Sequence, residues 1–150
     1  MTGKAWIENV TENLQDRQKQ LELDDERLRT IREELLSCQA IKYDSDRVQT
    51  SLTDDKLTEK YALMDEISRR MLRNMESYNI YKASSIQKLH NYVKNTTLAW
   101  ILEMRHIDFK TNAQIGAELG LKDRAVHYKF NKAYELLNSI YILEKYRKSC

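Results

Sequence analysis

Proline is absent from this chain of 150 residues, and glycine occurs only 3 times. These two residue types are the strongest helix breakers, so a chain that almost lacks them can be helical over most of its length. Charged residues make up 32% of the sequence, which suits helices that expose one face to water. The sequence therefore predicts an all-α fold.

Basic residues are concentrated in the last third of the chain, although the net charge is only +2. Residues 82–150 contain 12 Lys or Arg and 6 Asp or Glu, whereas residues 1–40 contain 6 and 9. A locally basic surface attracts polyanions through long-range electrostatics. The distribution indicates a polyanionic partner for the C-terminal part.

A stripe of apolar residues with a strict spacing of seven runs through the first 40 residues. It consists of Ile7, Leu14, Leu21, Leu28 and Leu35. A partial second stripe holds Val10, Ile31 and Cys38, with Arg17 and Asp24 in its middle places. The pattern predicts a long helix that either packs on its own chain or forms a homodimeric coiled coil through residues 5–39. The charged residues in the second stripe favour packing within the chain.

A polar segment separates this helix from the next one. Residues 43–55 read YDSDRVQTSLTDD, and Asp, Ser and Thr favour turns and caps over helix interiors. Thr53 or Asp54 is placed to cap a second helix over residues 56–78, whose apolar residues follow three-and-four spacing. The first domain, residues 1–80, is thus predicted to be an antiparallel helical hairpin or coiled-coil arm with its linker at 43–55.

The second predicted domain comprises residues 85–150, after a turn-like stretch at 79–85. A helix over residues 85–104 opens it, and Asn95, Thr96 and Thr97 are placed to divide that helix, because such side chains compete for backbone hydrogen bonds. Residues 106–110 then form a loop.

The segment from Thr111 to Leu137 has the pattern of a helix-turn-helix. Thr111 and Gln114 form a capping-box pair, and Gly120 can end a short helix with a positive φ. Ala117 or Gly116 supplies the small residue where two steeply crossing helices meet. Asp123 is the predicted N-cap of the second helix. The buried face of that helix is predicted to contain Val126, Phe130, Ala133 and Leu137.

The opposite face of this second helix carries side chains suited to a DNA major groove. They are Lys122, Arg124, His127, Tyr128, Asn131 and Lys132. Lys and Arg bind phosphates or guanine edges, Asn can read adenine, and Tyr can donate to a phosphate. The pattern predicts a module that binds double-stranded DNA.

The stretch AQIGAELGLKDRAVHYKFNKAYELL resembles the helix-turn-helix of sigma-factor region 4. From residue 43 onward the layout is similar to phage late-transcription regulators of the ArpU and RinA type, whose linker has the form Y-D-x-x-x-V-Q-T-S. Here that linker reads YDSDRVQTS. The resemblance implies regulation of phage or prophage genes, with RNA polymerase as a candidate partner of the N-terminal arm. It implies DNA contacts at Lys122, Arg124, Ala125, His127 and Tyr128.

Other classes of function find little support in the sequence. No phosphate-cradling glycine loop or nucleophile elbow is present, so we expect no enzyme and no cofactor. The histidines have no Cys, Asp or Glu at metal-ligand spacing, and Cys38 and Cys150 suggest neither a disulfide framework nor a metal site. No apolar run approaches a membrane span or a signal-peptide core, so we expect a cytoplasmic protein that does not bind membranes. The resemblance implies that this cytoplasm is that of a bacterial host.

Two alternatives remain open from the sequence. One is a DNA-packaging subunit similar to a small terminase, in which helix-turn-helix modules sit on a ring. The other is a protein-interaction module that works through the N-terminal heptad helix. Its acidic residues cannot themselves favour a phosphate backbone.

Overall fold

The computed structural model describes the backbone of residues 1–43 and 54–148 and the side chains of residues 1–37 and 55–148. Within these ranges every regular element is an α-helix, which confirms the all-α prediction. The helices are α1 (Gly3–Tyr43), α2 (Asp54–Tyr92), α3 (Thr96–His106), α4 (Asn112–Leu119) and α5 (Asp123–Arg147). Most of the predicted linker, the capping candidate Thr53 and the side chains of both cysteines lie outside the described residues.

Two compact units make up the chain. One contains residues 1–16 and 79–150, and the other contains residues 17–78. This division differs from the predicted domains 1–80 and 85–150, because the first 16 residues belong with the C-terminal helices. We call residues 17–78 the hairpin unit and the remainder the C-terminal unit.

The hairpin unit consists of two antiparallel helical segments. Side-chain contacts join Arg17 to Ser77, and Asp24 to Arg70. Residues later in the first segment therefore contact residues earlier in the second, so the two segments run in opposite directions. The core between the segments contains Leu28, Ile31, Leu35 and Ile67, flanked by Leu57, Met64 and Met71. The antiparallel hairpin predicted from the sequence is therefore confirmed for this part of the chain.

In the C-terminal unit, α3 forms the centre of the packing. Leu98, Ile101, Leu102 and Met104 are all buried, so this helix is enclosed on several sides. Packing joins α3 to both α4 and α5, and also joins α4 to α5. Asn95 caps α3 by accepting a hydrogen bond from the Leu98 N–H, as the predicted division of the helix requires.

The predicted turn at residues 79–85 is wrong, because α2 continues without a break to Tyr92. Ser85, Leu89 and Val93 are all buried in the C-terminal unit. Their spacing of four residues keeps one face of the last turns of α2, and of the residue that follows it, against the core. This burial outweighs the weak local preference of the Asn and Ser residues for turns.

The first 16 residues cover the C-terminal helices closely. Ile7 and Leu14 are fully buried, and a Cβ atom on Gly3 would lie 2.5 Å from the Leu137 carbonyl oxygen. The Lys4 N–H donates to Asn138 Oδ1 over 2.9 Å. The heptad stripe is thus largely covered by the chain itself, and the homodimeric coiled coil through residues 5–39 remains without support.

Among the described residues, no helix has both the length and the apolar character that crossing a membrane requires.

Candidate nucleic-acid interface

A complete capping box begins α4, as predicted. The Thr111 hydroxyl accepts from the Gln114 N–H over 3.3 Å, and the Gln114 side chain accepts from the Thr111 N–H over 2.9 Å. Two N–H groups that lack partners inside the helix are satisfied in this way. The box fixes the position at which the chain leaves the loop after α3 and enters the helix-turn-helix.

The turn between α4 and α5 depends on two glycines with different roles. Gly120 has a φ of 64°, which places it in the left-handed region where glycine avoids a steric penalty. A Cβ on Gly116 would lie 2.7 Å from the Leu121 carbonyl oxygen, a distance that real side chains do not tolerate. Ala117, the other predicted candidate, is exposed. Gly116 is therefore the residue that permits the close approach.

The N-cap of α5 is Lys122 rather than the predicted Asp123. The Lys122 carbonyl accepts the first helical hydrogen bonds, from Ala125 and Val126, and its backbone is extended. No side chain caps this end. Asp123 instead lies in the first turn, where a negative charge is favourable beside the unpaired N–H groups.

The inner face of α5 matches the prediction. Val126, Phe130, Ala133 and Leu137 are all buried in the C-terminal unit. The ring of Phe130 stacks on Tyr134, with the ring centroids 6.2 Å apart. This packing fixes the rotation of α5 about its axis, and so decides which residues face outward.

All seven predicted site residues lie on or beside the outward face of α5. Lys122, Arg124, His127, Tyr128, Asn131 and Lys132 are exposed, and Ala125 is half-buried. The Lys132 ammonium lies 5.7 Å from the centre of the Tyr128 ring, which is 65% exposed. The orientation of α5 about its axis thus places the predicted residues on one polar surface, which we call the α5 face.

Three residues that the sequence analysis did not single out adjoin the α5 face. Asn112 and Arg105 form a hydrogen-bonded pair next to His127. Lys129 is half-buried and lines a cleft with Asn95 and Tyr128. The sequence offered a signal only for Asn112, which directly follows the capping residue and is therefore fixed at the start of α4.

Acidic side chains lie close to some of the basic residues near the interface. Lys110 donates to Glu118 over 2.6 Å, and this hydrogen bond raises the pKa of Lys110 above its usual value. Asp123 places a carboxylate 3.9 Å from His127 Nε2. Lys122, Arg124 and Lys132 are exposed and add positive charge to the α5 face.

Within the described ranges, no group of three or more His, Cys, Asp or Glu side chains is arranged to hold a metal ion. The side chains that the structure gathers are hydrogen-bond donors, cations and one phenol. Such groups bind anions and polar base edges.

Comparison of the chain with protein-family models, with curated proteins and with solved structures gives no match.

Proposed function

We propose that this protein is a sequence-specific regulator of transcription that binds double-stranded DNA through α4 and α5. In this proposal α5 enters the major groove from Lys122 onward, while basic residues contact the phosphates. The genes it regulates belong to a phage or prophage, and it works in the cytoplasm of the bacterial host.

One observation carries the proposal: a capped short helix and a glycine turn lead into a helix whose outward face is polar and basic. An isolated α-helix fits a major groove about 12 Å wide, and residues 122–132 of such a helix extend over about 15 Å. That length is sufficient to read a few base pairs. Contacts with phosphates would then set affinity and make it depend on salt.

Two further observations support the proposal. Residues 82–150 hold 12 basic and 6 acidic residues, so the excess positive charge lies in the part that contains α5. The resemblance of this segment to sigma-factor region 4 suggests RNA polymerase as a protein partner. Exposed apolar side chains on the hairpin unit, such as Leu72 and Leu23, could contribute to that contact.

The decisive experiment compares two double variants with matched losses of charge. Arg124→Ala with Lys132→Ala removes two cations from the α5 face, whereas Lys19→Ala with Arg29→Ala removes two exposed cations from the hairpin unit. Fluorescence anisotropy would follow each protein with labelled duplexes from its own upstream region and from random sequence, at two salt concentrations. Circular dichroism would confirm that both variants remain helical.

We expect the parent to prefer one fragment and to bind more weakly as salt increases. The α5-face variant should lose at least tenfold in affinity and have a smaller salt dependence, by about one unit of slope per phosphate contact removed. The hairpin variant should bind like the parent. No binding by the parent at low salt would overturn the proposal and favour the protein-interaction alternative. A large ring in solution would favour the packaging alternative.

A further inference from the structure

A chain of polar contacts runs across three helices and ends on the α5 face. Arg105, in the last turn of α3, donates from Nη1 to Asn112 Oδ1 over 3.1 Å. Asn112, the first residue of α4, has its Nδ2 atom 3.4 Å from His127 Nε2 on α5. Because α3, α4 and α5 pack on one another, the contacts connect a surface histidine to the body of the helix-turn-helix.

The first contact fixes which way the Asn112 amide points. A guanidinium can only donate hydrogen bonds, so the atom that faces Arg105 must be the amide oxygen. The amide nitrogen is then the atom that faces His127. An asparagine without such a neighbour could turn its amide over with little cost.

The second contact fixes the hydrogen-bonding state of the neutral His127 ring. An amide nitrogen only donates, so Nε2 has to accept, and the single ring proton must be on Nδ1. The Asp123 carboxylate lies 3.9 Å from the same nitrogen, which is too far for a hydrogen bond. The neutral ring can therefore only donate to an additional partner.

We propose that Arg105 and Asn112 are positioning residues that hold His127 as a hydrogen-bond donor for DNA. In that state His127 donates a hydrogen bond to an acceptor on a base edge, such as N7 of a purine. It cannot accept a hydrogen bond from an amino group such as N4 of cytosine. The inference rests on the proposed function, since it names how one residue of the same surface selects its partner.

The first test examines the free protein and needs no DNA. Nitrogen-15 spectra of the full chain would report which ring nitrogen of His127 carries the proton, at a pH of about 8.5, well above the ordinary histidine pKa. The resonance is assigned with His127→Gln. We expect Nδ1 to be protonated in the parent. Asn112→Ala should give a mixture of tautomers, and Asn112→Asp, whose carboxylate accepts from the ring, should place the proton on Nε2.

The matched control is Asn91→Ala, which removes an exposed asparagine from the end of α2 and should leave the His127 spectrum unchanged. A parent protein with the proton on Nε2, or a spectrum that Asn112→Ala does not alter, would overturn the proposal. If Asn112→Ala loses helical signal, the test uses the parent and Asn112→Asp instead. Opposite tautomers of His127 in these two proteins support the proposal, and the same tautomer in both overturns it.

The second test selects duplexes from a random pool with the parent, Asn112→Ala and Asn91→Ala. Asn112→Ala carries no change of charge, so the phosphate contacts of the Lys and Arg side chains stay intact. We expect it to lose discrimination at one base-pair position, by roughly tenfold, and to keep the other preferences. Preferences that are identical in the parent and Asn112→Ala would overturn the positioning role while the DNA-binding proposal stands. A parent that enriches no duplex, despite the expected spectra, would overturn the DNA-binding proposal and the base reading with it.

Discussion

His106 is held as a neutral ring by hydrogen bonds on both of its nitrogens. The Thr11 hydroxyl donates to the Ile7 carbonyl, so it accepts from His106 Nδ1 at 2.9 Å. The other nitrogen, Nε2, accepts from the Tyr134 hydroxyl over 2.6 Å. Burial lowers the pKa of His106 to about 4, and the positive charges of Arg105 and Lys4 act in the same direction. Burial likewise raises the pKa of Tyr134, which keeps its proton as a donor.

This neutral histidine makes the stability of the C-terminal unit depend on pH. Between the folded pKa of about 4 and the ordinary value of 6.5, the unfolded chain binds more protons than the folded chain. The free energy of unfolding therefore falls as pH decreases through that interval, by about 3 kcal/mol for this group. His106→Gln keeps one donor and one acceptor but does not titrate, so it should lack this part of the loss.

Urea denaturation of the parent and His106→Gln at several pH values between about 7 and 4 measures the difference directly. Carboxylates contribute equally to both proteins, so they cancel in the comparison. Two curves that stay parallel over the whole interval would show that His106 is protonated as easily in the folded chain as in the unfolded one.

The sequence predicts the role of a single residue when that role depends on contacts with its neighbours in the chain. Gly120 and the Thr111–Gln114 box were predicted, because their hydrogen bonds and dihedral angles involve neighbours in the chain. The choice between Gly116 and Ala117 depends on how close the Leu121 carbonyl lies, which is a distance in the folded turn. His106 gave no signal, because its partners Thr11 and Tyr134 are remote in sequence.

At the scale of elements, boundaries set by capping groups were easier to predict than boundaries set by burial. The beginnings of α3 and α4 follow from Asn95 and Thr111, whose side chains bond the next turn. The end of α2 does not coincide with the polar stretch at 79–85, because burial of Leu89 keeps the helix going. A short polar stretch is compatible with a helix whenever one face of it is covered.

The hairpin unit has a charged group inside its apolar seam. Asp24 is only 2% exposed and accepts hydrogen bonds from Arg70. The hydrogen bond to Asp24 and the negative charge of Asp24 both raise the pKa of the Arg70 guanidinium. Gln20 also donates to Asp24 over 3.3 Å. A shift of the two segments by four residues would place Glu66 or Asn74, in place of Arg70, opposite this carboxylate. The pair therefore favours one alignment of the hairpin over the others.

We expect Arg70→Ala to destabilise the protein several times more than Arg69→Ala. Removing Arg70 leaves the buried Asp24 carboxylate without a compensating charge. Arg69 is one residue away on the same helix, but its partner Asp65 is exposed, and such pairs contribute little. Thermal unfolding followed by circular dichroism measures both variants, and equal midpoints for the two would contradict the proposed role of the Asp24–Arg70 pair.

At the scale of the whole molecule, one apolar stripe on α1 contributes residues to two separate cores. Ile7 and Leu14 are buried in the C-terminal unit, whereas Leu28 and Leu35 belong to the core of the hairpin unit. The heptad pattern predicted that the stripe would be covered. It could not say by what, because any apolar surface satisfies it equally well. The boundary near residue 16 therefore had no counterpart in the sequence.

If each unit is stabilised by its own core, truncation of the stripe should have separable effects. Ile7→Ala and Leu35→Ala each remove a buried aliphatic side chain and should each cost about 2–5 kcal/mol. The chain has 2 tryptophans, Trp6 and Trp100, and both lie in the C-terminal unit. Tryptophan fluorescence therefore reports that unit alone, while circular dichroism reports helix in both.

Ile7→Ala should shift the unfolding curve measured by tryptophan fluorescence to lower denaturant concentration. Leu35→Ala should shift part of the curve measured by circular dichroism and leave the fluorescence curve near that of the parent. If Leu35→Ala instead moves both curves equally, the chain unfolds as one cooperative body, since α1 and α2 each run through both units. The two variants thus decide whether the hairpin unit can unfold while the α5 face stays intact.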